Sequence, residues 1–187
     1  QMKNTRKLLS IILAILMIAT TVPFAFAADE IPDFSDAKVL TADEAGFLYS
    51  DGIKIDVSEN SFGEKLQCIP SGKYKLEGDM ITNGCTAVIQ SQENVIINLN
   101  GYKWSFEGYE HIMLLGELSV YDLSEKETGK LVAETHWGNV SLQGESSPVF
   151  NLYSGTLESI GGTALRVLEG TVNLYGGKLK SDKYKSI

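Results

Sequence analysis

Hydrophobic positions along the chain fall into three regimes. Leu8 to Ala19 is an apolar stretch, interrupted at Ser10 alone, behind Lys3, Arg6 and Lys7, followed by Pro23 and by Ala25-Phe26-Ala27 ahead of Asp29 and Glu30. A basic start, an apolar run of about a dozen residues and a small-x-small site form the secretory pattern, so residues 1–27 are expected to be an export signal cleaved after Ala27. The alternative is an uncleaved anchor helix over 8–28, just long enough to cross a bilayer. Thr41-Ala42-Asp43-Glu44 then has the form of a capping box, Thr41 as N-cap and Glu44 at N3, which predicts a short helix to about Leu48. From Ile53 onward the pattern changes to short apolar runs separated by Gly, Asn, Ser and Asp, the signature of many short strands and tight turns.

The strand-rich part repeats itself. Asn151-Leu152-Tyr153-Ser154-Gly155-Thr156-Leu157-Glu158-Ser159 recurs 22 residues later as Asn173-Leu174-Tyr175-Gly176-Gly177-Lys178-Leu179-Lys180-Ser181, with six identities in nine positions. Upstream, Asn98 to Ser105 carries a fainter echo. If each copy is a strand, a turn and a strand, the period suits one coil of a solenoid whose neighbours pair in parallel about 4.8 Å apart. Phe150 with Val172, Leu152 with Leu174 and Leu157 with Leu179 would then stack inward. Asn151 with Asn173 and Tyr153 with Tyr175 would stack outside, and Glu158 would lie beside Lys180. A slip of one residue would expose the leucines, so the hydrophobic pattern specifies this register. Gly155 and Gly177 fall at corners, where positive φ is often required.

Composition narrows the function classes. Of 187 residues 43% are apolar and 21% charged, with 18 glycines and 4 prolines, which argues against disorder and against collagen-like structure. Net charge is −8; without Lys3, Arg6 and Lys7 the balance is thirteen basic against 24 acidic residues, or −11. An acidic chain without a basic stripe lacks the footprint of a nucleic-acid binder and is repelled by anionic membranes. Nine carboxylates between Asp29 and Glu59 read as a solubilising face.

Few residues suggest chemistry. Cys68 and Cys85 stand 17 apart in an exported chain, where a disulfide and two separate buried thiols are both open. Two thiols and two scattered histidines, His111 and His136, do not make a metal site, and neither metal nor cofactor is expected. No nucleophile elbow, zinc-protease motif or phosphate loop occurs. Tyr153, Tyr175 and Trp137 could stack sugar rings while Asn151 and Asn173 exchange hydrogen bonds with hydroxyls; the alternative is that these ladders only stabilise the coil.

Three stretches carry a resemblance: Ile69-Pro70-Ser71-Gly72-Lys73-Tyr74 through Gly78-Asp79, Val95-Ile96-Ile97-Asn98-Leu99-Asn100-Gly101-Tyr102, and Gly116-Glu117-Leu118-Ser119-Val120-Tyr121-Asp122. In that order, residues 66 to 181 resemble right-handed parallel β-helix regions of secreted bacterial surface proteins of the pectate-lyase-like superfamily. The spacing between Tyr121 and Val149 departs from a regular coil, so an insertion is expected there. The resemblance implies an all-β right-handed parallel β-helix, with an antiparallel β-sandwich as the alternative fold. The expected plan is a signal over 1–27, an acidic leader and cap over 28–62, and coils over 63–187 that continue past the last residue. Pectate-type lyases use acidic calcium ligands and a basic residue; Arg166, Glu158 and Glu169 are the nearest candidates, without a defensible cluster. The expectation is therefore a non-enzymatic extracellular or cell-surface module for adhesion, glycan contact or envelope architecture, with a polysaccharide lyase or hydrolase as the alternative. Its expected partners are a glycan or envelope polymer, with neither nucleic acid nor, after cleavage, membrane.

Overall fold

The computed structural model describes residues 31–109, 111–134 and 138–182; the expected signal over 1–27 lies outside them, as do His136 and Trp137. All strands lie in the unit that begins at Asp33. Four of them open it: β1 (Lys38–Ala42), β2 (Leu48–Ser50), β3 (Ile53–Lys54) and β4 (Val57–Glu59). The capping-box helix does not form. Instead β1 and β2 pair antiparallel across residues 43–47. The Asp43 carboxylate folds back to accept the amides of Ala45 (3.0 Å) and Phe47 (2.9 Å), and Gly46 turns the chain at φ 76. An Asp side chain that satisfies its own loop in this way competes with helix initiation. The hairpin also buries Leu40 and Leu48, at 1% and 0% exposure, which a free helical turn would leave in water.

The chain then winds through about four turns of a parallel β-solenoid. Its successive rungs are β5 (Lys65–Cys68), β6 (Gly72–Lys75) and β7 (Met80–Thr82); β8 (Thr86–Ile89), β9 (Asn94–Asn98) and β10 (Lys103–Phe106); β11 (Ile112–Leu114), β12 (Glu117–Tyr121) and β13 (Lys130–Ala133); β14 (Val140–Leu142), β15 (Val149–Leu152) and β16 (Thr156–Ser159); and β17 (Leu165–Val167), β18 (Thr171–Leu174) and β19 (Lys178–Ser181). Each face is a parallel sheet: β5-β8-β11-β14-β17, β6-β9-β12-β15-β18 and β7-β10-β13-β16-β19. At the amino end β1 pairs with β6 and β4 with β5, so two of the three sheet edges are covered there. Parallel pairing on all three faces sets aside the antiparallel sandwich.

The register is the one the repeat specifies. Phe150 pairs with Val172, Leu152 with Leu174, Leu157 with Leu179 and Glu158 with Lys180. Inward positions form continuous columns, among them Ile97–Val120–Leu152 and Trp104–Leu131–Leu157, each residue 0% or 1% exposed. Two large buried side chains satisfy their polar groups inside: Trp104 Nε1 donates to Thr82 Oγ1 (2.8 Å), and Gln67 bonds the backbone of Leu48 and Ile55. Gly155 and Gly177 are corners, with φ 87 and 74; a Cβ on Gly177 would meet the Gly155 carbonyl at 2.8 Å. The irregular spacing is also located. Val120 pairs with Leu152, 32 positions on, whereas Leu152 pairs with Leu174 after 22; the difference resides in the connections from β12 to β13, β13 to β14 and β14 to β15.

The upstream echo is out of step. Asn98 is registered with Tyr121, not with the Ser119–Asn151–Asn173 column, so only the Trp104 end of the echo coincides with the Leu157 position.

Candidate ladder face and groove

The sheet that contains β12, β15 and β18 carries the paired side chains of the repeat on its outer surface. Alternation along each strand turns Leu118, Val120, Phe150 and Leu152 inward and points Glu117, Ser119, Asn151 and Asn173 to the outer side, where Ser119 and Asn151 are nonetheless buried, at 6% and 5% exposure. These polar groups are linked in one hydrogen-bonded series. Asn173 Nδ2 donates to Asn151 Oδ1 (2.8 Å), and Asn151 Nδ2 donates to Ser119 Oγ (3.1 Å) and Glu117 Oε1 (3.0 Å). The other Glu117 oxygen accepts from Asn94 Nδ2 at 3.3 Å.

Beside that column runs a stack of phenol rings. Tyr121 and Tyr153 lie 4.3 Å apart between centroids at 7°, Tyr153 and Tyr175 4.6 Å apart at 17°, and Phe34 meets Tyr121 edge-on at 5.9 Å. Tyr153 and Tyr175 were legible from the repeat; Tyr121 was not, because the insertion separates it from Tyr153 by ten residues more than one regular coil. In this geometry the rings cover one another's faces. Tyr121 is 5% exposed and Tyr175 53%, so a sugar ring has one aromatic face to stack on, that of Tyr175, rather than a row of them.

The series ends at a groove of about 210 Å³ lined by Glu93, Asn94, Gly116, Glu117, Ser146 and Ser147, among others. Glu93 is held by the hydroxyl and the amide of Ser71, the latter at 2.6 Å, and these bonds, the hydroxyl first, keep its carboxyl below the usual range. Gln92 and Ser147, both lining the groove, have φ 78 and 53, a left-handed backbone uncommon for such residues. Gly116 is required: a Cβ there would lie 2.2 Å from the Gln90 carbonyl and 2.5 Å from that of Glu93. A second, larger cavity of about 580 Å³ lies at the first coil, walled by Ile53, Ile55, Val57, Pro70 and Tyr74 and edged by Lys38 and Asp51.

The remaining candidates are dispersed. Arg166 is in β17, registered with Ser141, whereas Glu158 is in β16 on another face, where its carboxylate takes the Lys130 ammonium at 3.0 Å. Glu158 thus stands opposite Lys180 in register, as expected, while its ion pair with Lys130 runs to the preceding coil. His111 sits against the Tyr109 carbonyl (Nδ1 to O, 3.1 Å), and burial pulls its imidazole below 6.5. Cys68 and Cys85 are two thiols. Cys68 is registered with Val88, three residues from Cys85 and so about 10 Å along the strand, beyond the Cα separation a disulfide spans. Cys85 Sγ donates to Gln67 Oε1 at 2.8 Å, and Cys68 Sγ accepts from Gln90 Nε2 at 3.3 Å.

Asp122 is what the sequence reading missed. It is 2% exposed at the corner after β12 and accepts the amides of Gly101 (2.8 Å), Ser124 (3.2 Å) and Gly129 (2.5 Å). It holds the mouth of the 122–129 loop and is the terminal residue of the Gly116–Asp122 motif, so that motif is architectural here. The chain matches no protein-family model, no curated protein and no solved structure.

Proposed function

We propose that this chain is a non-catalytic extracellular module that contacts a glycan or envelope polymer along the ladder face. The observation that carries the reading is the hydrogen-bonded Asn173–Asn151–Glu117–Asn94 series, which opens onto the polar groove. Amide and carboxylate groups repeated at rung spacing suit a ligand that itself repeats along a line and offers hydroxyls as both donors and acceptors. Tyr175 supplies one apolar face beside them. The order of the Pro70, Asn98–Tyr102 and Gly116–Asp122 motifs supports a pectate-lyase-like, right-handed assignment for the solenoid, and the pattern over 1–27 supports export to a bacterial surface.

The test is a glycan array and a pull-down on cell-wall polymers with the purified protein, Tyr175→Ala, Glu117→Gln and the Tyr153→Ala, Tyr175→Ala pair. Binding to a defined polymer, weakened about tenfold in Glu117→Gln and in Tyr175→Ala, is the expected result. Identical profiles for all four proteins, or turnover of the bound polymer, would overturn it.

A further inference from the structure

The sheet β7-β10-β13-β16-β19, which the ladder reading does not use, sorts its charges into two opposed columns. Lys103, Lys130 and Lys178 open their strands and share one outward column, with Lys103 registered on Lys130 and Lys178 on the intervening Thr156. Four residues further along the same strands stand Glu107, Glu134 and Asp182. The backbone ladder continues through them, from Glu134 N to Phe106 O (3.2 Å), Ile160 N to Ala133 O (2.8 Å) and Asp182 N to Ser159 O (3.3 Å), so they form a second column. Trp104, Phe106, Leu131 and Leu157 point into the core, and the alternation turns both charged columns outward. Two rungs lack both the lysine and the acid of this pattern: Thr156 is followed by Ile160, and the first rung, β7, has Asp79 and Asn83 at the two positions, with Asp79 accepting the Lys103 amide at 2.8 Å. Between the columns lie Ile81, Ser105, Val132, Glu158 and Lys180.

Within one molecule like charges stand directly opposite on adjacent strands and repel, Lys103 beside Lys130 and Glu107 beside Glu134, and only Lys130 is partly compensated, by its ion pair with Glu158 at 3.0 Å. We propose that this face pairs with the same face of a second copy. A polyanion would relieve the lysines but not the acids, and a cation would do the reverse. A second copy turned about an axis parallel to the solenoid relieves both, since it sets Lys103 against the partner copy's acid at 107, Lys130 against that at 134, and Lys178 against that at 182. Turning it about the perpendicular in-plane axis sets lysine on lysine, so the two solenoids run in the same direction, as neighbours on one surface do. Sheets stack about 10 Å apart, a gap that a lysine and a glutamate side chain bridge together. The face is about 13 Å by 20 Å, well under the roughly 800 Å² per partner of a standard interface, so pairing is weak in dilute solution and effective where copies are crowded.

The test is zero-length carbodiimide coupling of an equimolar mixture of unlabelled and nitrogen-15 protein at high concentration, read by mass spectrometry. Mixed-isotope amides joining 103 to 107, 130 to 134 and 178 to 182 are expected, and they should be lost in about 0.5 M salt, where screening acts within about 4 Å. Two triple variants extend it: Lys103→Glu, Lys130→Glu, Lys178→Glu and Glu107→Lys, Glu134→Lys, Asp182→Lys. Each alone should lose dimer about tenfold, and mixing the two should restore it. Mixed-isotope links that are absent from the native protein, or that fall at other positions, overturn the proposal irrespective of how the variants fold. So does failure of two folded variants to restore pairing.

Discussion

Replacing Asp122 removes the acceptor shared by three backbone amides and tests whether the corner, rather than the coil core, holds the irregular part of the solenoid. The carboxylate receives Gly101 N and Ser124 N on one oxygen and Gly129 N on the other, and it is 2% exposed. A hydrogen bond to a charged group contributes about 1.5 to 3 kcal/mol. Three such bonds, reduced because truncation lets water reach the freed amides, give a cost near 4 kcal/mol for Asp122→Ala. Asp122→Asn keeps one carbonyl oxygen and turns an amide N–H₂ towards a donor, so it should cost about 2 kcal/mol. Because coils of a solenoid open piecewise, the measurement is native-state hydrogen exchange at Gly101 and Gly129 alongside urea unfolding. Exchange at Gly129 should accelerate roughly tenfold to a hundredfold in Asp122→Ala, and less in Asp122→Asn. Unchanged protection at both glycines, with a urea midpoint equal to the native one, would refute the assignment of this residue as the loop's anchor.

Leu157, 0% exposed between Leu131 and Leu179, should cost about 2 to 5 kcal/mol as Leu157→Ala, measured by urea unfolding; a loss under about 1 kcal/mol would mean that the column does not form. Gly116→Ala places a methyl between two carbonyl oxygens and should destabilise the turn between β11 and β12, seen as lost exchange protection at Glu117 N; a neutral effect would place the turn elsewhere. Ser71→Ala should move the Glu93 titration up towards 4.5 in a carbon-detected NMR titration. Because the folded pKa is depressed, its contribution is full above the unfolded value and is lost as pH falls through the folded one, below 4.5; a midpoint indifferent to Ser71 would contradict the hydrogen-bonding account. His111, lowered by burial, is neutral in the fold, so stability should fall as pH drops below 6.5, and His111→Gln should flatten that segment of the unfolding curve.

Which features were legible follows from which residues answer to a repeated environment. Asn151 and Asn173, or Leu157 and Leu179, occupy the same position on successive rungs, so equal surroundings select equal residues and the register could be read by inspection. Tyr121 occupies that environment too, but the longer loops of its coil hid the period. The helix expected from Thr41 was wrong because the capping pattern and an Asp-stabilised hairpin loop draw on the same residue types. What separates them is tertiary: Leu40 and Leu48 are buried under the first coil, and Gln67, nineteen residues beyond Leu48, bonds the hairpin backbone. Asp122 and the opposed columns were illegible for a related reason. The Gly101 amide that Asp122 collects from the preceding coil, and the partners of Lys103 and Glu107, are neighbours only once the coils are stacked.

The phenol stack gives this protein a built-in optical gauge. Three chromophores held nearly parallel at 4.3 and 4.6 Å couple their electronic transitions, whereas the same tyrosines in a frayed coil absorb independently. Near-ultraviolet circular dichroism should therefore report whether the last three windings are zipped, without any label, and a polymer that settles on Tyr175 would write its arrival into the same band.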